Sequence, residues 1–178
     1  MHQLLIGRTR CGKSSLAKEL CSELRLAGHE VLAFNPLAER GWTRRDEYGR
    51  AGAEWESDDA EEFLVEVQVR ILEKPKVRFL AIDEGHELFT RGDCDAKWLA
   101  TRGRHYGLNL IIVTQRGADM NVTARAQCLP VYVFQCSLTD AALLADEFGK
   151  PALKEAPTLQ KGEFFRVDED GLERRKLF

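Results

Sequence analysis

Residues 7–14 read Gly-Arg-Thr-Arg-Cys-Gly-Lys-Ser and come directly after the apolar run Leu4-Leu5-Ile6. This is the spacing G-x-x-x-x-G-K-[ST] in a strand-to-helix setting, and its chemistry is phosphate binding. Gly7 and Gly12 let the backbone curl, so that the amides of Arg8, Thr9, Arg10, Cys11, Lys13, Ser14 and Ser15 converge on phosphate oxygens. The helix that follows adds the positive end of its dipole. Lys13 can reach the β- and γ-phosphates of a bound ATP, and the Ser14 hydroxyl can ligate Mg²⁺. Cys11 fills one of the unconstrained positions of the loop, where its thiol is open to oxidation.

About seventy residues later, Phe79-Leu80-Ala81-Ile82 runs into two acids, Asp83 and Glu84. In a parallel sheet the C-terminal strand ends line the nucleotide crevice. Asp83 there would hold the Mg²⁺ hydration shell opposite Ser14, and Glu84 would polarise a water for attack on the γ-phosphorus. The next apolar strand ends in Thr114-Gln115-Arg116. The Gln115 carboxamide both donates and accepts hydrogen bonds, and can orient the attacking water or sense the γ-phosphate. Arg102, Arg104, Arg116 and Arg125 surround this strand in the sequence. One of them is a candidate for an arginine that meets the developing charge, in its own subunit or a neighbouring one; the others would serve as surface or DNA contacts. His86 and His105 read as hydrogen-bonded loop or helix-end residues.

These groups need a scaffold in which strands and helices alternate, and the chain offers one. Strand signals cover residues 2–6, 29–34, 77–82, 108–113 and 130–134. Helix signals cover 13–27, with Leu16, Leu20 and Leu24 on one face and Gly28 as the stop, then 93–106 and 139–148. Residues 58–73 fit both periods, and their length and the Asp58-x-x-Glu61 start favour a helix. Residues 162–167 and 172–177 flank Asp168-Glu169-Asp170-Gly171 as a terminal hairpin. Residues 37–57, with Arg40, Arg44, Arg45, Arg50, three glycines and two tryptophans, read as a long surface loop. It and the segment 117–126 are candidate nucleic-acid contacts.

The chain has 178 residues, 44% hydrophobic and 31% charged, with a net charge of −3. It reads as one soluble globular domain spanning 1–178. Any DNA-binding surface must be local or built by several subunits. No apolar run approaches the ~20 residues that span a bilayer, and no charged-then-apolar leader opens the chain. Five cysteines, Cys11, Cys21, Cys94, Cys128 and Cys136, include no C-x-x-C pair. That argues against a zinc site or a disulfide framework and fits a reducing cytoplasm.

Gly7-x4-Gly-Lys-Ser, Ile82-Asp83-Glu84 and the run from Arg102-Gly-Arg-His-Tyr-Gly through Thr114-Gln115 resemble the FtsK/HerA superfamily of DNA-pumping ATPases. The strand 130–134 and the turn Leu159-Gln-Lys-Gly-Glu-Phe164 extend the likeness. The chain is minimal, like the compact genome-packaging ATPases of tailless, membrane-containing viruses. The resemblance implies an α/β P-loop NTPase fold of the RecA-like (ASCE) type, with a mostly parallel central sheet flanked by helices and a small C-terminal β-hairpin. It implies a homo-oligomeric ring, commonly a hexamer, with ATP at subunit interfaces, double-stranded DNA in the channel, and capsid or membrane packaging-vertex proteins as partners. It carries Lys13, Ser14, Asp83, Glu84 and Gln115 onto the nucleotide site, and a trans-acting arginine onto Arg102 or Arg104. Two other classes fit the phosphate loop alone: a small-molecule kinase with residues 37–57 as its lid, and a regulatory ATP-binding module with little hydrolysis.

Overall fold

The computed structural model describes residues 2–38, 41–45, 49, 51–73, 78–92 and 95–177. Arg40 and Arg50 of the long loop, Val77 and Asp93 at the starts of a predicted strand and helix, and Cys94 lie outside the described residues.

The apolar runs form one sheet. Among the described residues it has eight strands: β1 His2–Ile6, β2 Glu30–Phe34, β3 Trp55–Ser57, β4 Arg78–Ile82, β5 Leu108–Thr114, β6 Cys128–Phe134, β7 Glu163–Asp168 and β8 Gly171–Lys176. Their order is β3-β2-β4-β5-β1-β6-β7-β8. The six strands from β3 to β6 run parallel, and β7 and β8 close the edge as an antiparallel hairpin. β1 sits between β5 and β6, so the chain winds outward from it in both directions. A crevice therefore opens at the C-terminal strand ends, where residues 7–12, Asp83, Glu84 and Gln115 all emerge.

Alternation along the strands divides the core into two layers. Leu4, Ile6, Leu32, Phe34, Leu80, Ile82, Leu110 and Ile112 face one side. There they meet α2 (Ala60–Glu73), α4 (Lys97–Thr101), α5 (Val122–Ala126) and α6 (Leu138–Glu147). Leu5, Val31, Ala33, Ala81, Ile111 and Val113 face the other side, against α1 (Lys13–Leu26). α1 ends as its sequence predicts: Gly28 takes a left-handed φ of 85°, and the Gly28 and His29 amides return to the carbonyls of Arg25 and Leu24.

Some elements differ from their sequence readings. The segment 58–73 forms the helix α2 from Ala60, but Asp59 caps it rather than Asp58, accepting from the Glu62 amide at 2.7 Å. The predicted helix 93–106 contracts to α4 and a 3-10 segment, Gly103–Tyr106, because Gly103 interrupts the periodicity. A one-turn helix, α3 (Gly85–Leu88), and a 3-10 stretch, Pro151–Thr158, are additional. The predicted long loop ends in edge strand β3 and is anchored to the core by its first tryptophan. Trp42 is fully buried in the α1 layer with Ala53 beside it. Its carbonyl accepts from the Gly52 and Ala53 amides, and the Glu56 carboxylate caps the amides of Trp42 and Thr43. Arg44 and Arg45 remain exposed at its tip. Among the described residues, no helix is long and apolar enough to cross a membrane.

Candidate functional site

The loop after β1 must leave the strand, curl and enter α1 within six residues. The Arg8 amide donates to the Gln135 carbonyl at 2.7 Å, which presses Gly7 against β6. A Cβ on Gly7 would lie 2.7 Å from the Phe134 Cβ and 3.0 Å from the Gln135 oxygen, so only glycine fits. Gly12 takes a left-handed φ of 112° and starts α1 without a side-chain cap or an acidic residue in the first turn. α5 and α6, by contrast, are capped by Asn121 and Ser137. An uncapped N-terminus of this length presents amide donors to an anion. Lys13, largely buried, donates to the Arg8 carbonyl at 2.7 Å across the loop and sits 3.9 Å from the Cys11 sulfur. Cys11 is itself buried; burial raises its pKa, which keeps the thiol protonated and unreactive rather than open to oxidation.

β4 delivers the two acids. Asp83 is buried, its amide bonded to the Phe34 carbonyl at 2.9 Å, and burial raises its pKa while the neighbouring Glu84 amide opposes the shift. Glu84 takes an uncommon φ of 46° for a non-glycine residue, which turns its side chain back over the crevice. There a chain of bonds joins the loop to the acid. The Thr9 hydroxyl donates to Gln115 Oε1 at 2.9 Å, and Gln115 Nε2 donates to Glu84 Oε1 at 2.7 Å. β5 lies between β1 and β4, so Gln115, the residue after it, reaches both. Glu84 Oε2 is buried with no hydrogen-bond partner among the described residues and lies 3.6 Å from His86 Nδ1. His86, in the one-turn helix α3, is thus beside the acid.

Thr9, Arg10, Gly12, Lys13, Ser14, Ser15, Asp83, Glu84 and Gln115 line one cleft of about 300 Å³. Leu37 and Lys161 also line it; motif reading does not single them out. Lys161 comes from the turn before β7, which docks on the phosphate loop through a Gly162 amide to Cys11 carbonyl bond at 3.0 Å. The only signal for it in the sequence is the family resemblance of that turn.

The oxygen donors at the cleft suit Mg²⁺. Ser14 and Asp83 are hard ligands, and Mg²⁺ typically takes one or two protein oxygens and completes its shell with phosphate and water. Among the described residues no cluster of three or more His, Cys, Asp or Glu offers an all-protein site. The orphaned Glu84 Oε2 is an acceptor awaiting a donor, as a water on such a shell would supply.

The arginines are dispersed. Arg102 and Arg104 precede β5, whose seven residues place them about 20 Å from its Thr114 end at ~3.3 Å per residue; neither reaches the cleft of its own chain. Arg104 contacts Gln127. Arg116 is exposed near the crevice and pairs with Asp119. Arg125 is structural, contrary to its expected surface role. It is buried, paired with Glu147 at 2.7 Å and bonded to the Gly117 carbonyl. With it inside, the segment 117–126 offers no exposed cation to DNA. His105 lies in the 3-10 segment, far from the cleft.

No protein-family model matches the chain, and no curated protein sequence matches it. Solved structures do. The genome-packaging NTPase B204 of Sulfolobus turreted icosahedral virus 2, in complex with AMPPCP, aligns over 99% of this chain and 97% of its own, with a TM-score of 0.80 and 20% identity. The pCW3 conjugation coupling protein TcpA aligns over 98% of this chain and 59% of its own (TM-score 0.70, 16% identity). EccC of Thermomonospora curvata aligns over 98% and 36% (TM-score 0.64, 17% identity). The fold is that of the P-loop ATPases, with the mostly parallel sheet and terminal hairpin that the motifs imply.

Proposed function

We propose that this chain is an ATP-hydrolysing subunit of a motor that moves double-stranded DNA into a viral capsid. The hydrolytic half of the reading rests on one observation: the bonded chain Thr9–Gln115–Glu84 ties the phosphate loop to a carboxylate with a free, buried oxygen. The loop amides and Lys13 hold the β- and γ-phosphates. Gln115 fixes Glu84 through Oε1, which leaves Oε2 to take a proton from the attacking water. Thr9 reports on the loop through the same glutamine. Bound Mg²⁺, held by Ser14 and Asp83, would neutralise developing phosphate charge. A hydrolase needs this oxygen free, whereas a regulatory module with little turnover does not.

The DNA half is supported by likeness to B204, a genome-packaging NTPase, and to a conjugation coupling protein. Arg44 and Arg45, exposed on the long loop, are the cations best placed to grip phosphates without reading sequence. A kinase reading loses its lid, because Trp42 pins that loop into the core. A ring would add a trans-acting arginine, Arg102 or Arg104 of a neighbour, to the Arg10 that already lines the cleft. Capsid or membrane-vertex proteins would anchor that ring.

The test is phosphate release from ATP with and without duplex DNA, beside solution mass with and without nucleotide. Turnover that rises with duplex DNA, falls with salt and accompanies an oligomer supports the motor. Turnover that needs a nucleoside acceptor, or none at all, rejects it.

A further inference from the structure

In the segment that follows β2, three side-chain atoms are buried without a hydrogen bond among the described residues: Nδ2 and Oδ1 of Asn35, and Nε1 of Trp42. Asn35 is 2% exposed and Trp42 is 0% exposed. Both belong to the segment that leaves β2, and strand geometry says where they point. Val31 and Ala33 face the α1 layer, so alternation carries Asn35 to the same face. On β4, Ala81 faces that layer, so Asp83 follows. β2 and β4 are in register at Phe34 and Ile82, which sets Asn35 directly beside Asp83, and the Asp83 amide bonds to the Phe34 carbonyl. Trp42 packs in the same layer. Its indole N–H lies beside the Asp83 carboxylate without meeting hydrogen-bond geometry.

Their backbones are fixed. The Asn35 amide donates to the Ser57 carbonyl at 2.8 Å, and the Asn35 carbonyl accepts from Ala38 at 3.2 Å. Trp42 is clamped by Glu56 and covered by Lys18, 5.8 Å from the ring centroid. Rigid backbones with unpaired buried side-chain groups are costly unless a partner arrives.

We propose that Asn35 and Trp42 are positioning residues behind Asp83. When nucleotide and divalent metal enter the cleft, the Trp42 indole N–H and the Asn35 carboxamide bond to the Asp83 carboxylate and to water on the metal, and fix the direction of the carboxylate. The inference rests on the nucleotide-site reading above. It assigns the long loop a task at the metal, distinct from any contact its arginines make.

The experiment titrates Mn²⁺ into the full chain at saturating AMPPCP, following free Mn²⁺ by electron paramagnetic resonance. AMPPCP affinity in EDTA is measured in parallel. Trp42→Phe removes the N–H and keeps an aromatic ring; Asn35→Ala removes the carboxamide. Each is expected to raise half-saturating Mn²⁺ about 10- to 100-fold, as loss of outer-shell partners does, while metal-free AMPPCP affinity stays within about twofold. A merely structural role would shift both. In the parent, the Trp42 indole ¹⁵N–¹H resonance should move downfield on adding Mg²⁺ with AMPPCP and stay in place with AMPPCP in EDTA. This readout needs no variant to fold. An unmoved resonance, or unchanged half-saturating Mn²⁺ in both variants, overturns the inference while the nucleotide site stands. A parent that takes up no AMPPCP overturns the inference and the nucleotide-site reading together.

Discussion

Replacing Glu84 by Gln changes one atom of a side chain whose two oxygens have different tasks. Oε1 receives the Gln115 N–H at 2.7 Å, and the glutamine carbonyl can keep that bond in the same rotamer. The amide nitrogen then occupies the place of Oε2, which has no hydrogen-bond partner among the described residues. That position changes from a proton acceptor to a donor and can no longer take a proton from water. Loss of a general base costs about 10²- to 10⁴-fold in rate, or roughly 3–5 kcal/mol of barrier at ~1.36 kcal/mol per tenfold. Nucleotide binding draws on different groups: the loop amides, the uncapped start of α1 and Lys13. AMPPCP affinity should therefore stay within about twofold. The assay is phosphate release under single-turnover conditions, with AMPPCP binding and thermal unfolding measured on the same preparation. Hydrolysis within about threefold of the parent, with binding intact, would refute the assignment of Glu84 as base. Joint loss of binding and turnover in a folded variant would refute the separation of cradle and base.

Three further outcomes are expected. The raised pKa of Asp83 means that its ionisation opposes folding above that pKa; Asp83→Asn should raise the metal-free thermal midpoint at pH 7 while abolishing Mg²⁺-dependent turnover, and a lowered midpoint would contradict the burial argument. His2 is buried between the Ala100 carbonyl and the Leu110 amide, and burial pushes its pKa down to about 4. The neutral form therefore contributes stability that is complete above pH ~6.5 and lost as pH falls toward 4, about 3 kcal/mol in all at ~1.36 kcal/mol per pKa unit. Urea unfolding should show that slope in the parent and a shallower one in His2→Gln. Arg125→Ala leaves Glu147 and the Gly117 carbonyl without their guanidinium and should cost about 3–5 kcal/mol, whereas Arg116→Ala, at an exposed pair, should cost at most about 1 kcal/mol; chemical denaturation of the two variants distinguishes a structural from a surface arginine.

The parts of the cleft that were legible in the sequence are those whose chemistry restricts residue type over a short span. Gly7 to Ser14 must pair a backbone curl with a cation and a hydroxyl. The strand before Asp83 is apolar because it is buried on both faces, which also marks where the acids begin. Gln115 was legible for the same reason, as the polar stop of β5. The supports were not legible, because their roles depend on where the chain goes between strands. Trp42 reads as an aromatic in a glycine- and arginine-rich loop, and nothing local says that α1 covers only part of its sheet face and leaves a gap for an indole. Asn35-Pro36 reads as a strand stop. Only the pairing of β2 beside β4 turns that asparagine toward Asp83. Arg125 reads as a surface residue for the converse reason: it lies within one turn of exposed positions of a short helix, and its partner, Glu147, is on α6. Chemical groups thus announce themselves in short motifs, while the residues that aim them are set by strand order. In this chain β2 is the strand that brings such residues to the acid, so removing polar groups near its C-terminal end should change the metal dependence of the cleft before it changes nucleotide affinity.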